Sequence, residues 1–133
     1  MEMNSKLLSH IKYLNKIQVR TLDSIYIVCV KNIIRCEAYK NYTTIFLRDE
    51  KSILVSHTLK DFETLLPFPD FMRIHQSHLV NCNYIKRISK QDSCILLTDN
   101  SKIPISNRKH DLINEYLKML PTIRHRVKPL LDG

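Results

Sequence analysis

The one glycine of this chain is Gly133, its last residue. Every tight reversal before it must be made with a side chain in place. Left-handed backbone then falls most readily to Asn or Asp. Asn32, Asn41, Asn83, Asp99 and Asn100 are the candidates. The same scarcity removes chemistry. No Gly-rich loop can cradle nucleotide phosphates, and no Gly-x-Ser-x-Gly turn can present a serine nucleophile.

The hydropathy pattern asks for many turns. Residues 18–22 alternate. Residues 25–30 are a continuous β-branched run, as in a strand buried on both faces. Residues 33–37 and 42–47 predict two further strands. Residues 52–56 return after Asp49-Glu50-Lys51 as a hairpin partner. Later strands are expected at 84–88, 94–97 and 102–105, with Asp99-Asn100 turning the last pair. Thr58 is placed to cap a helix over 59–66, with Asp61 at its third position and Pro67 and Pro69 beyond its end. Ser106 is placed to cap a last helix whose stripe is Leu112, Ile113, Tyr116, Leu117 and Leu120. Met3, Leu7, Ile11 and Leu14 form a similar stripe near the start. The chain reads as mostly β with two or three short helices. Its division is an N-terminal amphipathic helix or linker over 1–15, one domain over 16–121, and a basic tail over 122–133.

Charge narrows the partners. Lys and Arg number 21 against 13 Asp and Glu, a net charge of +8. Residues 73–109 hold seven bases and two acids, while residues 21–72 hold six and seven. A domain this basic suits an anionic partner, nucleic acid first and an anionic membrane surface second. The stretch from Arg73 to Lys109 is where a phosphate-facing surface is expected.

Other classes find little support. The acids are scattered, without the close pair a metal-dependent nuclease needs. His75 and His78 lie three apart, which in a strand sends them to opposite faces. No second Cys/His pair has structural-zinc spacing. Cys29, Cys36, Cys82 and Cys94 form no Cys-x-x-Cys pair, as expected of reduced thiols in a cytoplasmic protein. The longest apolar run, residues 25–30, is too short for a bilayer. No catalytic residue, metal, cofactor or membrane partner is expected.

Three clusters suit nucleic acid. Residues 71–81 (FMRIHQSHLVN) interleave donors and acceptors with apolar residues. Gln and Asn can pair bidentately with adenine, Arg with guanine, and Ser or Arg with phosphate. Residues 37–42 (EAYKNY) place a cation, an amide and two phenols between two strands. Ser106-Asn107-Arg108-Lys109 puts two cations at a helix start, where free N–H groups also attract anions.

Taken in order, these pieces resemble the LytTR family of bacterial DNA-binding domains. The likeness rests on Glu37-Ala38 through Asn41-Tyr42, on Phe71-x-Arg73-Ile74-His75-x-Ser77 with Val80-Asn81, and on Ile103-Pro104-Ile105-Ser106-x-Arg108. It runs from about Ile25 to Leu120. The resemblance implies an elongated, antiparallel β fold of small sheets with short helices. It also implies that loops, not a recognition helix, enter successive major grooves of double-stranded DNA to regulate transcription. The implied readers are Asn41 with Lys40 and Tyr42, then Gln76, then Arg108. His75, Ser77 and Lys109 become their phosphate-contacting or positioning neighbours, and Asn81 a structural residue. Gln76 and Asn107 depart from the basic residues common at their positions, and His78 from an aromatic one. Gln76 favours adenine where a basic residue favours guanine.

Further expectations follow from the resemblance. The DNA site is expected as direct repeats, with a homodimer formed on DNA or through the N-terminal helix. Family members often carry a phosphoacceptor receiver and act as response regulators of two-component systems. The short stretch before the first matching strand leaves no room for a receiver, so the chain is a free-standing regulator or a fragment of one. The alternatives are an RNA-binding module, suggested by Tyr39 and Tyr42 on a basic β surface, and a protein-interaction module of a signalling system.

Overall fold

The computed structural model describes residues 15–124. The stripe from Met3 to Leu14 and the tail beyond Arg124 lie outside the described residues. Ten strands and two helices make up the described part. Strands β1 (Lys16–Arg20) and β2 (Ile25–Cys29) form a two-stranded ribbon. Strands β3 (Ile33–Tyr39), β4 (Tyr42–Leu47), β5 (Ser52–Val55), β6 (Phe71–His75) and β7 (His78–Asn81) form the central sheet, in the order β5-β4-β3-β7-β6. Strands β8 (Ile85–Ser89), β9 (Cys94–Leu97) and β10 (Lys102–Pro104) form a third sheet. Helix α1 (Leu59–Leu65) follows β5, and α2 (His110–Lys118) follows β10. Every pairing is antiparallel.

The central sheet has a core on each face. Period-two alternation sends Cys36, Ile45, Val55, Phe71 and Leu79 to one side, where Leu59, Phe62 and Leu66 of the α1 region and Val19 and Val28 of the ribbon meet them. Ile34, Met72, Ile74 and Val80 go to the other, against Ile95, Leu97, Ile103 and Ile113. Register shifts between Ile33 and Arg35 and between Arg73 and His75 adjust the alternation where β3 and β6 pass between the two cores. Asn81 is buried within this frame. Its Nδ2 donates to Ile33 O at 2.8 Å, and its Oδ1 accepts from Asn83 N–H at 3.0 Å.

Three expectations need correction. The run 25–30 is not buried on both faces: Ile25, Tyr26 and Ile27 are 53%, 44% and 63% exposed, and Val28 alone is buried. Among the described residues the two-stranded ribbon has one face on the core and nothing layered over the other, so β-branched composition alone does not establish burial. Among the expected left-handed residues, Asn100 has positive φ (72°), but Asn32, Asn41, Asn83 and Asp99 do not. Lys40, Asp49, Glu50 and Ser93 take that role instead. Turn geometry decides which position is left-handed, and at Lys40-Asn41 it is the first. Thr58 does precede α1, yet its side chain makes no capping bond; Asp61 turns to His57 at 3.5 Å.

Burial separates the thiols. Desolvation pushes Cys36 up to about 12 despite the opposing Arg35 charge. Burial, aided by Asp70, does the same to Cys82, also about 12. Both stay protonated and unreactive at pH 8. Brief alkylation of the folded protein is therefore expected to label the half-buried Cys29 and Cys94 and to spare Cys36 and Cys82 until denaturant is added. Peptide mass spectrometry reads the order directly.

Candidate nucleic-acid interface

The 71–81 cluster is a hairpin, not one strand. Gln76-Ser77 is its two-residue turn, and His75 and His78 are cross-strand partners. Their rings are tilted by 57° with centroids 5.2 Å apart. The opposite-face rule for a single strand does not apply, because the chain reverses between them. No group of three or more His, Cys, Asp or Glu capable of holding a metal occurs among the described residues.

Strand pairing brings the clusters to one end of the central sheet. Glu37 on β3 is opposite His78 on β7, so the Lys40-Asn41 turn and the Gln76-Ser77 turn project the same way. The hydrogen bond from Ala38 N–H to Ser77 O, 2.9 Å, ties them. The two turns are centred about two strand spacings apart, about 10 Å. On the other flank, Ser106 N–H donates to Ile74 O at 2.9 Å and holds the third cluster against β6. That cluster forms a 3-10 turn, Asn107–Lys109, ahead of α2. Ser106 precedes the turn but makes no side-chain cap, so the two cations sit beside α2's first turn, not at a capped helix terminus.

A cleft of about 500 Å³ lies between the 71–81 and 106–109 clusters, lined by Glu63, Arg73, His75, Gln76, Ser106, Arg108 and Lys109. Lys40, Asn41 and Tyr42 do not line it; they stand exposed on the neighbouring turn, with the Lys40 ammonium 5.5 Å from the Tyr39 ring centre. Gln76 and Arg108 are exposed, while His75, Ser77 and Lys109 are half-buried.

Hydrogen bonds fix the second turn. Ser77 N–H donates to His75 Nδ1 at 3.0 Å, so the neutral imidazole carries its proton on Nε2, a donor. His78 is held below the usual imidazole range by desolvation, which outweighs the pull of Glu37; His75 and Arg35 push the same way as burial. Its Nδ1 lies 3.6 Å from Glu37 Oε1, too long for a hydrogen bond. Glu37 instead receives Arg35 Nη1 at 2.7 Å, and that guanidinium lies 3.8 Å from the Phe46 ring centre.

Sequence reasoning missed one bracing pair. By residue type Arg73 suits phosphate or guanine, but its Nη1 donates to Glu63 Oε1 at 3.0 Å and its Nη2 to Gln76 O at 2.8 Å. Spacing gave no clue to Glu63, which arrives from α1. Only the hairpin turn, once recognised, would have put a carbonyl within reach of Arg73.

The sequence profile of the LytTr DNA-binding domain matches residues 23–118. This chain belongs to the LytTR family. It is a DNA-binding domain of the kind used in transcription regulation. The sensory transduction protein LytT of Bacillus subtilis (strain 168) is 36% identical over 95 residues, covering 69% of this chain. The heme-containing CO-sensing transcriptional regulator RcoM 1 of Paraburkholderia xenovorans (strain LB400) is 29% identical over 106 residues, covering 77% of this chain. The chain spans 39% of the length of each of these curated relatives. A solved LytTr DNA-binding domain from Bacillus cereus shares the fold, with a TM-score of 0.66 at 24% identity over 77% of this chain and 96% of that one. The small antiparallel sheets of this LytTR domain are thus those of its family. No helix among the described residues is long and apolar enough to cross a membrane.

Proposed function

We propose that this LytTR domain reads specific base pairs of double-stranded DNA with three loops at one end of its central sheet. The observation that carries the reading is their common placement by backbone hydrogen bonds, Ala38 to Ser77 and Ser106 to Ile74. Gln76 faces adenine and Arg108 guanine, each through a bidentate pair. Asn41, with Lys40 and Tyr42, forms the third reading point. His75 through Nε2–H, Ser77 and Lys109 contact phosphates and set the register. The loops enter successive major grooves on one side of the duplex, and direct repeats recruit two copies.

Selection of sites from a random double-stranded pool, followed by salt titration of the winners, tests this. An enriched motif is the expected result. Weak binding without a motif would overturn it, and the exposed pair Tyr39 and Tyr42 would then direct the search to single-stranded RNA. On the selected site, Gln76→Ala is expected to cost about 1–3 kcal/mol and to relax preference at one or two positions. Lys109→Ala is expected to weaken binding to all sequences alike and to flatten the salt slope by about one unit.

A further inference from the structure

The cleft beside Gln76 contains an acid where a phosphate-seeking surface has no evident use for one. Glu63 lines it together with Arg73, Arg108 and Lys109. Its carboxylate holds one arm of the Arg73 guanidinium, and the other arm holds Gln76 O, the carbonyl of the turn's first residue. Glu63 itself rides on α1, whose Leu59 and Phe62 are buried in the core. The turn is thereby tied through two side chains to a rigid part of the fold. Arg73 is also kept from behaving as a free cation. Released, a guanidinium at this place would pair with any phosphate and add affinity without sequence information.

We propose that Glu63 and Arg73 form a specificity clamp, Arg73 positioning Gln76 for base reading while Glu63 suppresses sequence-independent binding. The inference rests on the reading role given to Gln76 above. The clamp sacrifices phosphate affinity for discrimination, and its two halves have different signatures. Glu63→Gln removes a charge that repels phosphate and frees Arg73. Binding to a random-sequence duplex is expected to strengthen, with the salt slope steeper by about one unit. Arg73→Lys keeps the charge but cannot make the same fork. Binding to the random duplex is expected to stay within about twofold, because the slope follows charge. In both variants, discrimination at the base pair facing Gln76 falls by about tenfold, toward that of Gln76→Ala.

The experiment uses the full chain, the duplex selected from the random pool, the same duplex changed at single base pairs, and a random-sequence duplex. A purely structural role would lower thermal stability and weaken all the duplexes in proportion, leaving discrimination intact; that result would overturn the clamp. If Gln76→Ala erases a preference that Glu63→Gln and Arg73→Lys both preserve, the clamp fails and the reading role of Gln76 stands. If the unmodified protein has no preference at any base pair, the reading role and the clamp fall together.

Discussion

Asn81→Leu is expected to lower the unfolding free energy by about 2–6 kcal/mol. Asn81 is 2% exposed and bridges the end of β7 to the start of β3 and to the turn that follows. Leucine approximates its size but leaves Ile33 O without this donor and Asn83 N–H without this acceptor. Each stranded polar group costs about 1–3 kcal/mol. Urea unfolding followed by circular dichroism measures the shift. DNA affinity, corrected for the folded fraction, is expected to stay unchanged, because Asn81 lies at the end of β7 away from the Gln76-Ser77 turn. A loss under 1 kcal/mol would show that other groups satisfy that carbonyl and amide.

Arg108→Ala is expected to cost about 1–3 kcal/mol of binding free energy, concentrated at one or two base positions of the selected site. Arg108 is exposed on the 3-10 turn at the mouth of the cleft. Arg108→Lys separates charge from geometry: it should keep the salt slope but lose most of the base preference, since an ammonium cannot pair as a planar fork. Titration against single-base variants gives both quantities. Unchanged affinity and unchanged preference in Arg108→Ala would remove this residue from the interface.

Much of this was readable before the fold was known. The strands from 33 to 55 and from 84 to 105 carry alternation or turn residues strong enough to place them, and α1 and α2 carry clear apolar stripes. The resemblance makes Asn81 a structural residue, and its side chain is indeed buried where β7 meets the start of β3. The failures have physical causes. The β-branched run at 25–30 has the composition of a buried strand, but composition does not say how many layers will cover it. Amino-acid preference assigns left-handed backbone to Asn and Asp, whereas Lys40 takes it because of its place in the turn. The 71–81 cluster was rich in the right groups, yet the reversal at Gln76-Ser77 carries no glycine or proline to announce it. Without that reversal, neither the meeting of His75 with His78 nor the grip of Arg73 on the turn could be foreseen.

The Lys40-Asn41 and Gln76-Ser77 turns hang from strands that are hydrogen-bonded neighbours, so their separation is counted in whole strands of about 4.8 Å each. Side chains at the tips can be exchanged without disturbing that ladder. If the turn tips read bases as proposed, related proteins built this way should differ in the bases they choose while keeping one ruler, and a change of ruler would require gaining or losing a strand.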